Sequence, residues 1–252
     1  MSLFSPDSAH HQQNQEQLPS PLYLEVAGPA GCRLTGRQWV WQDIQSGLTS
    51  LLPTNRGVII TGGPGSGKTA VILALVDRSC FAAPAVKEAV REVGSVGEDQ
   101  VRNLAHQVVA YHFCQADNSP TCLVPEFVQS LAGQLCQAPQ LASYHHLVQS
   151  RPDLLALLSI NHCHVNPSQA LTAGVLEPLG LLYEEGKVST NIAIILIDGL
   201  CEAEQHRPDY GETLTTFLAK HYSHFPPWLK LVCTVRSNMV EIVNTFPFHQ
   251  IR

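Results

Sequence analysis

Missing from this sequence are the features that would send it to a bilayer, a secretory route or a nucleic-acid surface. No apolar run approaches the ~18 residues that a membrane span requires. The opening residues, MSLFSPDSAHHQQNQEQ, carry neither a basic n-region nor an apolar h-region, so no signal peptide is read there. Lys and Arg number 15 against 21 Asp and Glu, giving a net charge of -6 with no basic cluster. A chain that binds by neutralising phosphate backbones is usually strongly basic, so nucleic acid is not an expected partner. Eight cysteines, at 32, 80, 114, 122, 136, 163, 201 and 233, form no CxxC pair and no secreted-module rhythm. They are expected to be reduced and mostly buried. Together these absences predict an intracellular soluble protein. Also lacking is any GxSxG, HExxH or glycosidase-like constellation. The two His and one Cys of NHCHV (161–165) have no distant partner pair and read as non-ligands. His145-His146 and the pair His221/His224 likewise lack a nucleophile or metal context.

What is present is a globular composition, 44% hydrophobic and 14% charged, able to bury a real core. Residues 1–21, rich in Gln, Ser, His and Pro, are expected to form a disordered leader, and residues 22–252 one α/β domain. GRQWVWQDIQSGL, with apolar Trp39, Val40, Ile44 and Leu48, predicts an amphipathic helix. RGVIITGG, QVVAYHFCQ (107–115), NIAIILIDG and WLKLVCTVR read as strands, and FHQIR opens a fifth. Helices are expected over TAVILALVDRS, EFVQSLAGQLC, RPDLLALLSI and SQALTAGVLEPLGLLYEE, with helix pieces and loop across roughly 80–104. Apolar strands separated by helices imply crossovers and a mostly parallel sheet buried on both faces.

TGGPGSGKTA then carries the chemistry. Gly62-x-x-x-x-Gly67-Lys68-Thr69 is a P-loop pattern, with a strand before it and a helix after. Gly63, Gly65 and Gly67 are expected to take positive φ and let the backbone approach phosphates past Pro64 and Ser66. Backbone amides converging at a helix N-terminus favour an anion there. Lys68 would reach the β- and γ-phosphates of a nucleotide, and the Thr69 hydroxyl would ligate Mg²⁺.

Such a loop needs a carboxylate from a neighbouring buried strand. IAIILID delivers Asp198 to the carboxyl edge of the sheet, where open α/β sheets bind ligands, as the outer Mg²⁺ ligand. Glu202 is the candidate to polarise an attacking water, with solvated loop acids at 202 and 204 as the plain alternative. Arg236, ending WLKLVCTVR, could sense a γ-phosphate or partner an acid such as Glu202.

The order GRQW, GGPGSGKT, YHFCQADNSPTCLVPEFVQSL, GVLEPL, IILIDGLCEAEQHRPDYGETL and FPPWLKLVCTVRSN resembles the NTPase domain of the TANC family, from about Leu34 to Arg252. That family comprises large scaffolds with ankyrin and tetratricopeptide repeats, and its domain is a STAND-class, NACHT-like P-loop NTPase. The resemblance implies a three-layer sandwich that binds ATP or ADP with Mg²⁺ and acts as a switch in a cytoplasmic, postsynaptic or cortical scaffold. Gly62 to Thr69 would be Walker A, Asp198 and Glu202 the Walker B acids, and Arg236 sensor 1. Gly36-Arg37 would lie near the adenine. ATP over GTP also follows from the resemblance. Cys201 stands where related sites often carry an acid, and the resemblance implies that a non-acidic residue there is not foreign to this family. The repeats are absent, so protein partners would bind regions outside this chain, which resembles a fragment stopping as the fifth strand begins. Three functions are weighed: a slow regulatory ATPase, a kinase or efficient ATPase, and a non-hydrolysing interaction domain.

Overall fold

Each apolar run that points toward the candidate site forms a strand buried on both faces. The structure, a computed structural model, describes residues 18–22, 36–50, 55–83, 98–205 and 211–252. Most of the expected leader, residues 1–17, lies outside the described residues, as do 84–97 of the expected helix-and-loop stretch and 206–210 after the acidic strand end.

The strands are β1 (Gly57–Gly62), β2 (Val108–Phe113), β3 (Ala193–Asp198), β4 (Leu229–Arg236) and β5 (His249–Ile251). They lie in the order β2-β3-β4-β1-β5, and every pairing is parallel. Along β3 the side chains alternate between two cores: Ala193, Ile195 and Ile197 join one, Ile194 and Leu196 the other. β4 does the same, with Leu231, Cys233 and Val235 on one side and Val232 on the other. A strand covered on both faces has no polar period, which is why these segments read as unbroken apolar runs. Each fully buried Ile, Leu or Val contributes roughly 1.5–3 kcal/mol by leaving water.

Helices α1 (Gln38–Leu48), α2 (Lys68–Val76) and α3 (Glu98–Ala105) cover one face. On α1 the buried stripe is Val40, Trp41, Ile44 and Leu48, whereas Trp39 is 46% exposed. The expected core position was two residues off at the tryptophans, because Trp41 continues the three-and-four spacing toward Ile44 and Leu48 and Trp39 does not. The other face is covered by α4 (Val124–Gln137) and a series of shorter helices: α5 (Ala142–Ser150), α6 (Pro152–Leu157), α7 (Ile160–Val165), α8 (Pro167–Leu171) and α9 (Glu177–Glu184). Helix α10 (Leu200–Ala203) follows β3, α11 (Leu214–His221) precedes β4, and α12 (Val240–Thr245) leads to β5. Fold class is thus α/β, a parallel sheet between two helical layers of the kind P-loop proteins use.

The helix expected over SQALTAGVLEPLGLLYEE runs through a π-turn at Thr172–Leu176 between α8 and α9. The buried Tyr144 hydroxyl donates to the Gly174 carbonyl at 2.7 Å, giving that carbonyl a partner within the turn. Among the described residues no helix is long and apolar enough to cross a membrane.

Two contacts with α4 close the molecule. The carboxamide of buried Gln134 accepts from the Tyr111 N–H and donates to the Tyr111 carbonyl, both at 2.8 Å. A side chain thereby plays the part of one more strand residue on the outer edge of β2. Residues 18–22 lie across the same helix: the Leu22 N–H donates to Ser130 Oγ at 2.9 Å, and a Cβ on Gly133 would come within 2.5 Å of the Pro19 carbonyl oxygen.

Candidate functional site

β1 ends at Gly62, the chain turns through 63–67, and α2 begins at Lys68. Gly65 and Gly67 take φ of +71° and +86°, a region that disfavours side chains. Gly63 does not, contrary to expectation, and a Cβ there would meet nothing within 4 Å, so neither backbone conformation nor packing within the chain demands glycine at that position. Gly62 is tight against Ser66 Oγ. Lys68 folds back over the loop and its Nζ donates to the carbonyls of Gly62 at 2.8 Å and Gly63 at 2.9 Å, with Ser66 Oγ at 3.3 Å.

Asp198 closes β3 and is buried. Its Oδ2 accepts from the Thr69 hydroxyl at 2.7 Å and its Oδ1 from the Thr234 hydroxyl at 2.6 Å. Burial pushes this carboxyl above its usual range; the Thr234 and Thr69 hydrogen bonds and the Lys68 charge pull the other way. Thr234 also accepts the Gly199 N–H at 2.9 Å, so one hydroxyl holds both the acid and the turn that follows it. At that turn Gly199 has φ +74°, and a Cβ would sit 3.0 Å from the Cys114 carbonyl oxygen.

Glu202, in α10, accepts from the Arg236 guanidinium at the end of β4, and the Cys201 thiol lies 3.8 Å from the same carboxylate oxygen. Of the two roles left open for Arg236, this geometry realises the pairing with an acid. The parallel register sets Gly62 beside Arg236, which brings that ion pair next to the phosphate loop. Glu204 instead accepts from the Thr213 hydroxyl at 2.7 Å, outside this group.

The remaining wall comes from the end of β2. The Cys114 N–H donates to the Asp198 carbonyl at 2.9 Å, so residues 114–117 leave the sheet alongside the acid. Thr121 braces this loop by accepting from the Gln115 N–H at 2.8 Å and donating to the Asn118 carbonyl at 2.7 Å. Below it, buried His112 contacts the Thr121 carbonyl at 2.6 Å through Nε2. A carbonyl only accepts, so Nε2 carries the proton. Burial holds this imidazole neutral, pushing its pKa down to about 4.

These elements enclose a cleft of about 410 Å³ containing Pro64, Gly65, Lys68, Thr69, Asp198, Glu202, Thr234 and Arg236, with Phe113 to Asp117 opposite. Thr69 and Asp198 supply hard oxygen donors, and among the described residues no group of three or more His, Cys, Asp or Glu could hold a metal alone. That donor set suits Mg²⁺, which takes one or two protein oxygens and completes its shell from phosphates and water.

Gly36 takes φ +72°, and the Arg37 carbonyl accepts the Val40 N–H at the start of α1. The Arg37 guanidinium packs on the phosphate loop: a Cβ on Gly67 would meet its Nη1 at 2.7 Å. Sequence reasoning missed Thr234, Gly199, Gln115 and Asp117 as members of the site. Thr234 had a signal, since it lies two residues before Arg236 and a strand places both on one face.

Residues 35–236, more than half of the chain, match the family model described as Nephrocystin 3, N-terminal. The chain belongs to that family. The matched span of the Nephrocystin 3 N-terminal model holds every candidate residue from Gly36 to Arg236, the P-loop and both acids included. No solved structure matches the chain. The finer likeness to the TANC NTPase domain is a proposal.

Proposed function

We propose that this chain is an ATP-binding module that cleaves Mg²⁺-ATP slowly, its ATP and ADP states biasing protein assembly. One observation carries the reading. The hydroxyl of Thr69, in the phosphate loop, and the carboxylate of Asp198, 129 residues later, meet at 2.7 Å beside a lysine poised over that loop. A chance glycine-rich turn has no reason to find a buried acid at that distance.

Each residue then has a task. Loop amides and Lys68 bind the phosphates, and Arg37 adds a second cation from α1. Thr69 and Asp198 would hold Mg²⁺, which screens phosphate charge when bound. Glu202 would accept a proton from the attacking water, but its carboxylate is already engaged by the Arg236 guanidinium, which competes with the water for the same oxygen. This supports slow turnover. The same ion pair favours a second reading, a nucleotide-binding interaction domain that does not hydrolyse. A small-molecule kinase draws no such support. Following the TANC resemblance, the module would sit in a cytoplasmic, postsynaptic or cortical scaffold whose partners bind other regions.

The test is to identify nucleotide that co-purifies with the protein, titrate it with Mg²⁺-ATP, and follow single-turnover cleavage. Lys68→Ala should weaken binding by at least about tenfold, the loss of one charge-assisted contact. Equal affinity in wild type and Lys68→Ala would end the nucleotide reading. Binding without cleavage in both wild type and Glu202→Gln would select the interaction domain.

A further inference from the structure

The proposed site is well supplied with acceptors and short of donors on the side where hydrolysis would develop charge. Lys68 is turned to the loop carbonyls, and Thr69 donates to Asp198. The Thr234 hydroxyl is committed twice, to Asp198 and to Gly199. Arg236 is engaged by Glu202. Transfer of a phosphoryl group spreads negative charge over its equatorial oxygens, and preorganised N–H donors there are a major source of rate.

The wall opposite the phosphate loop offers one strong side-chain donor. It is built from Phe113, Cys114, Gln115, Ala116 and Asp117, of which Gln115 alone carries an N–H beyond the backbone. Asp117 lines the same cleft but would repel phosphate. Gln115 also sits on a rigid support. Its N–H is held by Thr121 Oγ1, its backbone bridges to Asn118, and Thr121 is wholly buried and held from beneath by His112. The Asn118 Nδ2 lies 3.5 Å from Gln115 Oε1, and Gln115 lines the cleft. β2 pairs with β3 so that Phe113 stands beside Asp198, and Gln115 emerges two residues further along.

We propose that Gln115 is a further catalytic residue of this site, donating from its carboxamide to the γ-phosphate or the attacking water opposite Glu202. The inference rests on the nucleotide reading above. In the step it serves, a water oxygen bonds to the γ-phosphorus as the bond to the β,γ-bridging oxygen breaks. The water proton passes to Glu202 or a phosphate oxygen, and the products are ADP and inorganic phosphate. Gln115 gives up no proton; its N–H steadies the oxygen on which charge accumulates.

The experiment measures Mg²⁺-ATP affinity, single-turnover phosphate release and thermal midpoint for wild type, Gln115→Ala and Gln115→Glu. Gln115→Ala is expected to slow release by about tenfold to a hundredfold, the range for losing one transition-state donor, with affinity changed less than about threefold on the same grounds. Gln115→Glu keeps the shape but has no donor, and is expected to be as slow or slower at an unchanged midpoint. Recovery of the wild-type rate in Gln115→Glu overturns the donor role, as does a wild-type rate in Gln115→Ala, and both leave the nucleotide reading standing. A wild type that binds ATP without cleaving it overturns the catalytic role only. A wild type that binds no ATP overturns both.

Discussion

Glu202 receives the Arg236 guanidinium at the mouth of the cleft, tying the first turn after β3 to the last residue of β4. The two side chains are 18% and 40% exposed, so water screens the attraction without abolishing it. The pair is therefore a weak clasp between two strand ends, breakable by a competing anion.

A double-mutant cycle measures that clasp. Arg236→Ala, Glu202→Ala and the double variant, compared by urea unfolding, should show a coupling of about 0.5–1 kcal/mol. It should shrink at about 1 M salt, where the screening length falls to about 3 Å. A coupling within the usual ~0.3 kcal/mol error of additivity would mean that the pair is ornamental in solution.

Asp198→Asn should stabilise the protein near neutral pH while removing Mg²⁺-dependent nucleotide binding. The folded carboxyl titrates above 3.8 because of burial, so between 3.8 and its raised value the folded state holds more protons than the unfolded one. Wild-type stability is accordingly highest below 3.8 in this respect and is lost as pH rises through that window. The asparagine variant should lack that loss. Urea midpoints across the window, beside a Mg²⁺-ATP titration, check both halves; an Asp198→Asn protein less stable at pH 7 than wild type would contradict the account.

His112 works in the opposite direction. Unfolded, it gains a proton below about 6.5; folded, it resists until about 4. Its contribution is complete above 6.5 and lost as pH falls through that interval, on the order of 3 kcal/mol in all. His112→Gln should be less stable at pH 7 yet lose less on acidification to about pH 4.5. Parallel acid profiles for the two proteins would remove His112 as the cause.

Gln134→Met conserves volume but removes the hydrogen bonds that Gln134 makes to the Tyr111 N–H and carbonyl on the edge of β2. The expected loss is about 2–6 kcal/mol, from two buried groups at roughly 1–3 each. Bared strand edges also pair with other chains, so light scattering on mild heating should rise earlier than in wild type. A change below about 0.5 kcal/mol, the scale of an ordinary surface substitution, would show that water replaces the carboxamide.

What could be read from the sequence depended on how local each signal was. Gly62 to Thr69 and Asp198 declare themselves through spacing and flanking apolar runs, because the strands that place them are buried on both faces. β1 to β4 were legible for that reason, whereas β5 leaves His249 and Gln250 exposed. Gln134 and His112 were not, since each acts on a partner fixed only by tertiary packing: a polar residue within a helix, and a histidine within an apolar strand. Gly63 was misjudged because a glycine that needs positive φ and one that does not look identical in sequence. The break of the long helix at Thr172–Leu176 was also invisible, as the apolar period runs straight through it.

The strand order has a consequence for how the protein is made. β1, which carries the phosphate loop, precedes the other described strands, yet its neighbours are β4 and β5, which come last among them. Gly57 pairs opposite Leu231, so at about 5–20 residues per second a nascent chain waits roughly 10–35 s before β1 has a partner. During that interval Val58, Ile59 and Ile60 are exposed on a strand with two open edges. The period in which this chain most needs a chaperone is therefore set by its topology, and a synonymous change that slows translation between β1 and β4 would lengthen it.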